Sequence, residues 1–103
     1  MSTSLALDTA RCNDGQPVLV AAGEIDLSNI DAFNRALTTA ISEAGKGERL
    51  TVDLSAVEYL DSAAINVLFA RADEIRLIAH PLLIPILTIS GLTELVAVDT
   101  AEH

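Results

Sequence analysis

Hydrophobic and polar positions change their period several times along the chain, and each change marks an element. Leu5 and Leu7 alternate with polar neighbours, Asn13-Asp14-Gly15 carries a tight-turn signal, and Pro17-Val18-Leu19-Val20-Ala21-Ala22 follows. Alternation, an Asp-Gly turn and an apolar run predict a two-stranded hairpin. From Asp31 the period lengthens: Phe33, Leu37, Ala40, Ile41 and Ala44 recur at helical spacing, and Gly45-Lys46-Gly47 stops the run. Ser28, followed by Asp31, reads as the capping arrangement of that helix, with acids where the helix dipole favours them. Leu50-Thr51-Val52-Asp53-Leu54 then predicts a short, central strand.

Asp61-Ser62 opens a second helix, with Ala64, Ile65, Leu68, Phe69 and Ala72 along one side. Ile75–Ala79 predicts another strand, broken by His80-Pro81. Residues 82–89 are apolar enough for a buried helix, closed by Ser90-Gly91-Leu92, and Leu95-Val96-Ala97-Val98 reads as the last strand. The order β-β-α-β-α-β-α-β implies an α/β fold: a mixed sheet, right-handed crossovers and helices packed on the sheet. With 103 residues and no repeat, low-complexity tract or linker, residues 1–103 are expected to form one domain.

Composition narrows the function. Half of the residues are hydrophobic, which separates the chain from disordered sequences. Fifteen acids against six bases give a formal charge of −9. The bases, Lys46, Arg11, Arg35, Arg49, Arg71 and Arg76, do not cluster. Phosphate backbones and anionic membranes need Lys and Arg to displace or attract their counter-charges, so direct nucleic-acid binding is not expected. Met1-Ser2-Thr3-Ser4 lacks a basic start followed by a long apolar run, and no stretch reaches the roughly 20 apolar residues of a spanning helix. No membrane insertion and a cytoplasmic location are therefore expected. Cys12 has no second cysteine to pair with, and Cys12, His80 and His103 are too few strong ligands for a metal site. Gly-x-Gly-x-x-Gly and Gly-Lys-Ser/Thr loops are absent. No cofactor is expected.

Ser62 stands at a strand-to-helix turn but lacks the Gly-x-Ser-x-Gly pattern, since Leu60 and Ala64 flank it. His80 could serve as its base only through a tertiary approach that spacing does not indicate. Hydrolase chemistry is thus a weak reading, and the chain is not expected to be an enzyme. Two roles remain for a serine opening a helix. Ser and Asp are ordinary N-caps, and spacing alone favours that role. The alternative is a phosphorylation switch, because a phosphate adds roughly −1.5 to −2 charge at a place where unpaired amides tolerate it.

Two segments match a family pattern. Gly23-Glu24-Ile25-Asp26, followed by Ser28, and Val52-Asp53-Leu54-Ser55 through Tyr59-Leu60-Asp61-Ser62-Ala63-Ala64 resemble the two signatures of the STAS family, the sulphate transporter and anti-sigma-factor antagonist domains. Pro81 and Ser90-Gly91-Leu92 fall at the family's spacing around its third helix. The resemblance implies a stand-alone anti-sigma-factor antagonist. In such members an anti-sigma factor with serine-kinase activity phosphorylates the serine after the aspartate, here Ser62. The unphosphorylated form binds the anti-sigma factor and frees the sigma factor; phosphorylation releases the antagonist and a phosphatase restores it. By the same resemblance Glu24, Asp26, Asp61 and Ala63 belong to the partner-binding surface, with Asp61 helping to position or recognise the hydroxyl. ATP would belong to the partner.

Several positions depart from the family. Its common Asp-Ser-Ser-Gly is here Asp61-Ser62-Ala63-Ala64, which leaves Ser62 as the motif's one acceptor and replaces a glycine at a turn. Ile84 and Pro85 stand where basic residues are usual, so burial of that segment is expected, a dimer or partner contact being the other reading. Residues 99–103 would be the first turn of a final helix that is short or absent. A competing reading from the same resemblance makes the chain a STAS subunit on the cytoplasmic ATPase of a lipid ABC transporter, where Ala63-Ala64 would matter less.

Overall fold

Parallel pairing of four successive strands decides the architecture. The structure, a computed structural model, describes residues 4–11, 15–45 and 47–100. Cys12, Asn13, Asp14, Lys46 and His103, named above, lie outside the described residues. Strand β1 (Leu5–Arg11) pairs antiparallel with β2 (Pro17–Ile25). Helix α1 (Ile30–Ala44) leads to β3 (Leu50–Leu60), α2 (Ser62–Ala70) to β4 (Ile75–Ala79), and α3 (Ile84–Ile89) to β5 (Val98–Thr100). The sheet order is β1-β2-β3-β4-β5, parallel from β2 onward. Every crossover moves one strand in the same direction, so right-handed connections place the helices on one face.

The core lies between those two layers. Phe33 and Leu37 from α1, Leu68 from α2 and Leu87 from α3 are fully buried against Leu19, Ile25, Leu50, Val52, Leu54 and Leu77 of the sheet. Each such side chain contributes roughly 1.5–3 kcal/mol through removal of apolar surface from water. No charged or polar residue is buried among the described residues.

Four expectations change. Strand β3 runs six residues beyond Leu54, because its pairing with β2 continues through Gly23↔Val57, Glu24↔Tyr59 and Ile25↔Leu60 and buries Val57 and Leu60. Ser28 does not cap α1. The N-cap is Asn29, which makes no side-chain cap bond, while the Ser28 amide and hydroxyl both donate to Asp26 Oδ1 in a local Asp turn.

The third change concerns residues 82–89, which split into a 3-10 turn, Pro81–Leu83, and α3, with Pro85 in the first turn of α3. Only Leu83 and Leu87 of this stretch are buried; Leu82, Ile86 and Ile89 are 68%, 40% and 87% exposed. A short helix lying on a sheet has one inward face, and this one is apolar on both. Fourth, Leu95 and Val96 are not strand. Their amides donate to the Leu92 carbonyl, closing a turn that follows the left-handed Gly91, so β5 starts only at Val98. Asp99 and Thr100 are therefore strand residues rather than the start of a helix.

Candidate phospho-acceptor site at the start of helix α2

Since β2 and β3 are parallel neighbours, their carboxyl ends emerge side by side, and the two signature segments meet there. Ile25 and Leu60 are the last register pair, and the Asp61 amide donates to the Ile25 carbonyl at 3.2 Å. Asp61 is extended, with φ −96° and ψ −176°, as an N-cap residue must be. Its Oδ1 accepts from the Ala64 amide at 3.0 Å and its Oδ2 from the Leu27 amide at 2.9 Å. One carboxylate thus caps α2 and ties the β2–α1 turn to it with two charge-assisted bonds.

This arrangement divides the roles of Asp61 and Ser62. Spacing favoured a capping serine, but the cap is Asp61, and Ser62 is the first residue inside the helix. Ser62 is exposed, and its hydroxyl makes no hydrogen bond among the described residues. Both Asp61 oxygens are engaged by backbone amides. Ala63 is half-buried and Ala64 fully buried. No described non-glycine residue has a positive φ, so the position of Ala64 does not demand the glycine usual in the family.

The β2–α1 turn is built by a residue that sequence reasoning missed. Asn29 Oδ1 accepts from the Asp26 amide at 3.0 Å, and its Nδ2 donates to the Glu24 carbonyl at 2.9 Å. The Asn29 amide donates to the Asp26 carbonyl at 3.1 Å, completing a closed local network. Asparagine is a strong turn residue, and that was the signal available. Gly23 stands in the first signature, but its structural role was not read from it. Its φ is +106°, and a Cβ there would collide with the Ser4 carbonyl oxygen, which accepts from the Glu24 amide. Glycine is required because β1 passes this close.

The electrostatics of this end are one-sided. Residues 24–34 and 50–70 carry Glu24, Asp26, Asp31, Asp53, Glu58 and Asp61 and no Lys, Arg or His. Glu24 and Glu58 are exposed, as are two large apolar side chains, Leu27 at 76% and Tyr59 at 49%. At the opposite end of the parallel strands, Arg49 and Arg76 line an open groove with Ser42, Glu48 and Asp73. Arg71 donates to Thr38 Oγ1 at 2.6 Å and pairs with Glu74 at 3.5 Å.

His80 belongs to neither end's chemistry. Its Nδ1 accepts from the Leu82 amide at 3.0 Å, capping the 3-10 turn, so that nitrogen is occupied by local structure. Among the described residues no group of three or more His, Cys, Asp and Glu is placed to hold a metal ion. No described helix is long and apolar enough to cross a membrane.

Comparison with known proteins follows the same outline. Residues 9–97 match the family model described as the Mlab STAS domain. The chain is similar to the anti-sigma-F factor antagonist RsfB of Mycobacterium tuberculosis, with 34% identity over 67 residues, covering 65% of this chain and 53% of RsfB. It therefore spans about half the length of the curated relatives it matches. Its fold is similar to the crystal structure of an anti-sigma factor antagonist from Mycobacterium paratuberculosis, with a TM-score of 0.81 at 24% identity over 93% of this chain and 86% of that one. It is also similar to the anti-sigma factor antagonist SpoIIAA in its unphosphorylated form, with a TM-score of 0.68 at 19% identity over 95% and 90% of the two chains.

Proposed function

The chain belongs to the STAS domain family, and from that premise we propose that it is an anti-sigma-factor antagonist whose partner binding is switched off by phosphorylation of Ser62. The observation that carries this reading is the division between Asp61 and Ser62: the aspartate does the capping, and the serine hydroxyl is exposed and unengaged. A side chain with no structural bond can gain a phosphate without loss to the fold. The first-turn amides and the helix dipole favour negative charge there.

The two segments that meet here offer a phosphate no Lys, Arg or His to pair with. Its nearest charged neighbour is Asp61. It would therefore project outward, and its effect would fall on the partner rather than on this domain's conformation. In this reading the partner is an anti-sigma factor with serine-kinase activity that supplies ATP, and a phosphatase resets the switch. Glu24, Asp26, Asp61 and Ala63 border the contact, and this chain performs no catalysis of its own.

The test uses that kinase and ATP in the source organism's own pairing. Ser62→Ala abolishes labelling, and Ser62→Asp weakens binding to the anti-sigma factor. Equal labelling of wild type and Ser62→Ala would remove Ser62 from the reading. Ala63-Ala64 favours a second reading, a STAS subunit on the cytoplasmic ATPase of a lipid ABC transporter, in which Ser62 needs no modification. Co-purification with such an ATPase, unaffected by Ser62→Asp, would select it.

A further inference from the structure

The Leu27 side chain serves neither the core nor the cap of α2. It sits in the β2–α1 turn, where polar residues are usual, and three-quarters of its surface faces solvent. Only about a quarter of it is buried within its own fold. Nor is it a loose loop tip: its amide is held by Asp61 Oδ2, the next residue donates twice to Asp26 Oδ1, and the Asn29 side chain accepts from the Asp26 amide and donates to the Glu24 carbonyl. An apolar side chain projected from a hydrogen-bonded turn is already organised for contact, so binding would cost little ordering entropy.

Its surroundings state what kind of surface it can meet. Glu24, Asp26, Glu58 and Asp61 lie on the two chain segments joined by the Asp61–Leu27 bond, with no cation among them. Four carboxylates without a cation between them, on a chain of formal charge −9, repel an acidic partner and attract a basic one. Resting on the antagonist reading above, we propose that Leu27 is the apolar anchor of the Ser62 interface, filling an apolar socket on the anti-sigma factor whose rim carries Lys or Arg.

The sign of the switch then locates Ser62 within the contact. A phosphate facing a basic rim would strengthen binding through long-range attraction. For phosphorylation to release the partner, the local cost of desolvating a dianion must exceed that attraction. Desolvation is largest in the dry centre of an interface, where well-packed anchors sit. Ser62 therefore lies beside the Leu27 socket and inside the basic rim.

The experiment is titration calorimetry of the whole chain against the purified serine-kinase anti-sigma factor of the source organism. It compares wild type, Leu27→Ala, Ser62→Asp and Ile89→Ala, each checked for an unchanged melting transition. Leu27→Ala keeps the amide that Asp61 holds and truncates a mostly exposed side chain, so the domain stays folded. Leu27→Ala is expected to weaken binding by about tenfold or more, and Ile89→Ala by less than about twofold. Wild-type affinity is expected to fall as salt rises from about 50 to about 300 mM.

Wild-type affinity for Leu27→Ala, with Ser62→Asp still defective, would overturn the anchor and leave the functional reading standing. An equal loss in Ile89→Ala would move the contact to α3 and overturn it as well. Affinity insensitive to salt would remove the basic rim. Absence of binding by the wild-type chain would overturn the antagonist reading and the anchor together.

Discussion

Asp61 Oδ2 accepts a hydrogen bond from the Leu27 amide at 2.9 Å, joining residues 34 positions apart in the chain. The same carboxylate caps α2 through Ala64. A cap serving one helix is ordinary; this one also fixes where the β2–α1 turn sits relative to the serine beside it. The turn and the phospho-acceptor candidate are thereby one rigid unit.

Asp61→Ala removes both bonds and leaves the Leu27 and Ala64 amides without their acceptor. A lost cap and a lost charge-assisted bond together cost about 1–3 kcal/mol. Urea denaturation should show that loss, and amide exchange at Leu27 and Ala64 should quicken together. Faster exchange at Ala64 alone would mean that the tie to the β2–α1 turn contributes nothing.

Gly23→Ala combines a left-handed backbone position with a collision at the Ser4 carbonyl. Strain of this kind costs on the order of 1–3 kcal/mol, and relief requires β1 to move away. The expected result is a lower melting temperature with early loss of protection at the Glu24 amide, which donates to Ser4. Unchanged protection there would show that β1 is not held by this contact.

Burial makes opposite forecasts for two aliphatic residues. Leu68→Ala empties a fully buried position of α2 and should cost about 2–5 kcal/mol in unfolding free energy. Ile89→Ala on α3, 87% exposed, should change stability by less than about 0.5 kcal/mol. Comparable losses would mean that the outer face of α3 is covered in solution.

What could be read from the sequence follows from how local each cause is. Helix α1 is visible because Phe33, Leu37, Ala40 and Ala44 recur with the period that buries them. Strand β4 is visible because its burial alternates. Asp61 and Ser62 stand out as a helix opening, but which of them caps depends on where β3 lets go, and the Asp61 amide is still paired with the Ile25 carbonyl of the neighbouring strand, which no spacing reveals. Gly23 and Asn29 escaped for the same reason, since the Ser4 carbonyl and the turn's closed network exist only once β1, β2 and α1 are in place. The run 82–89 shows the limit of hydropathy. It indicates that the segment is apolar without telling which face has a neighbour, so Leu82 and Ile89 were expected inside and are outside.

In the proposed switch a phosphate on Ser62 acts on the partner. The most direct measurement is the affinity of the serine-kinase anti-sigma factor for the whole chain before and after it is phosphorylated, with Ser62→Ala carried through the same treatment. Phosphorylation should weaken binding by about tenfold or more, equivalent to about 1.4 kcal/mol, while Ser62→Ala binds alike before and after. Equal affinity of the phosphorylated and unphosphorylated chains would contradict it.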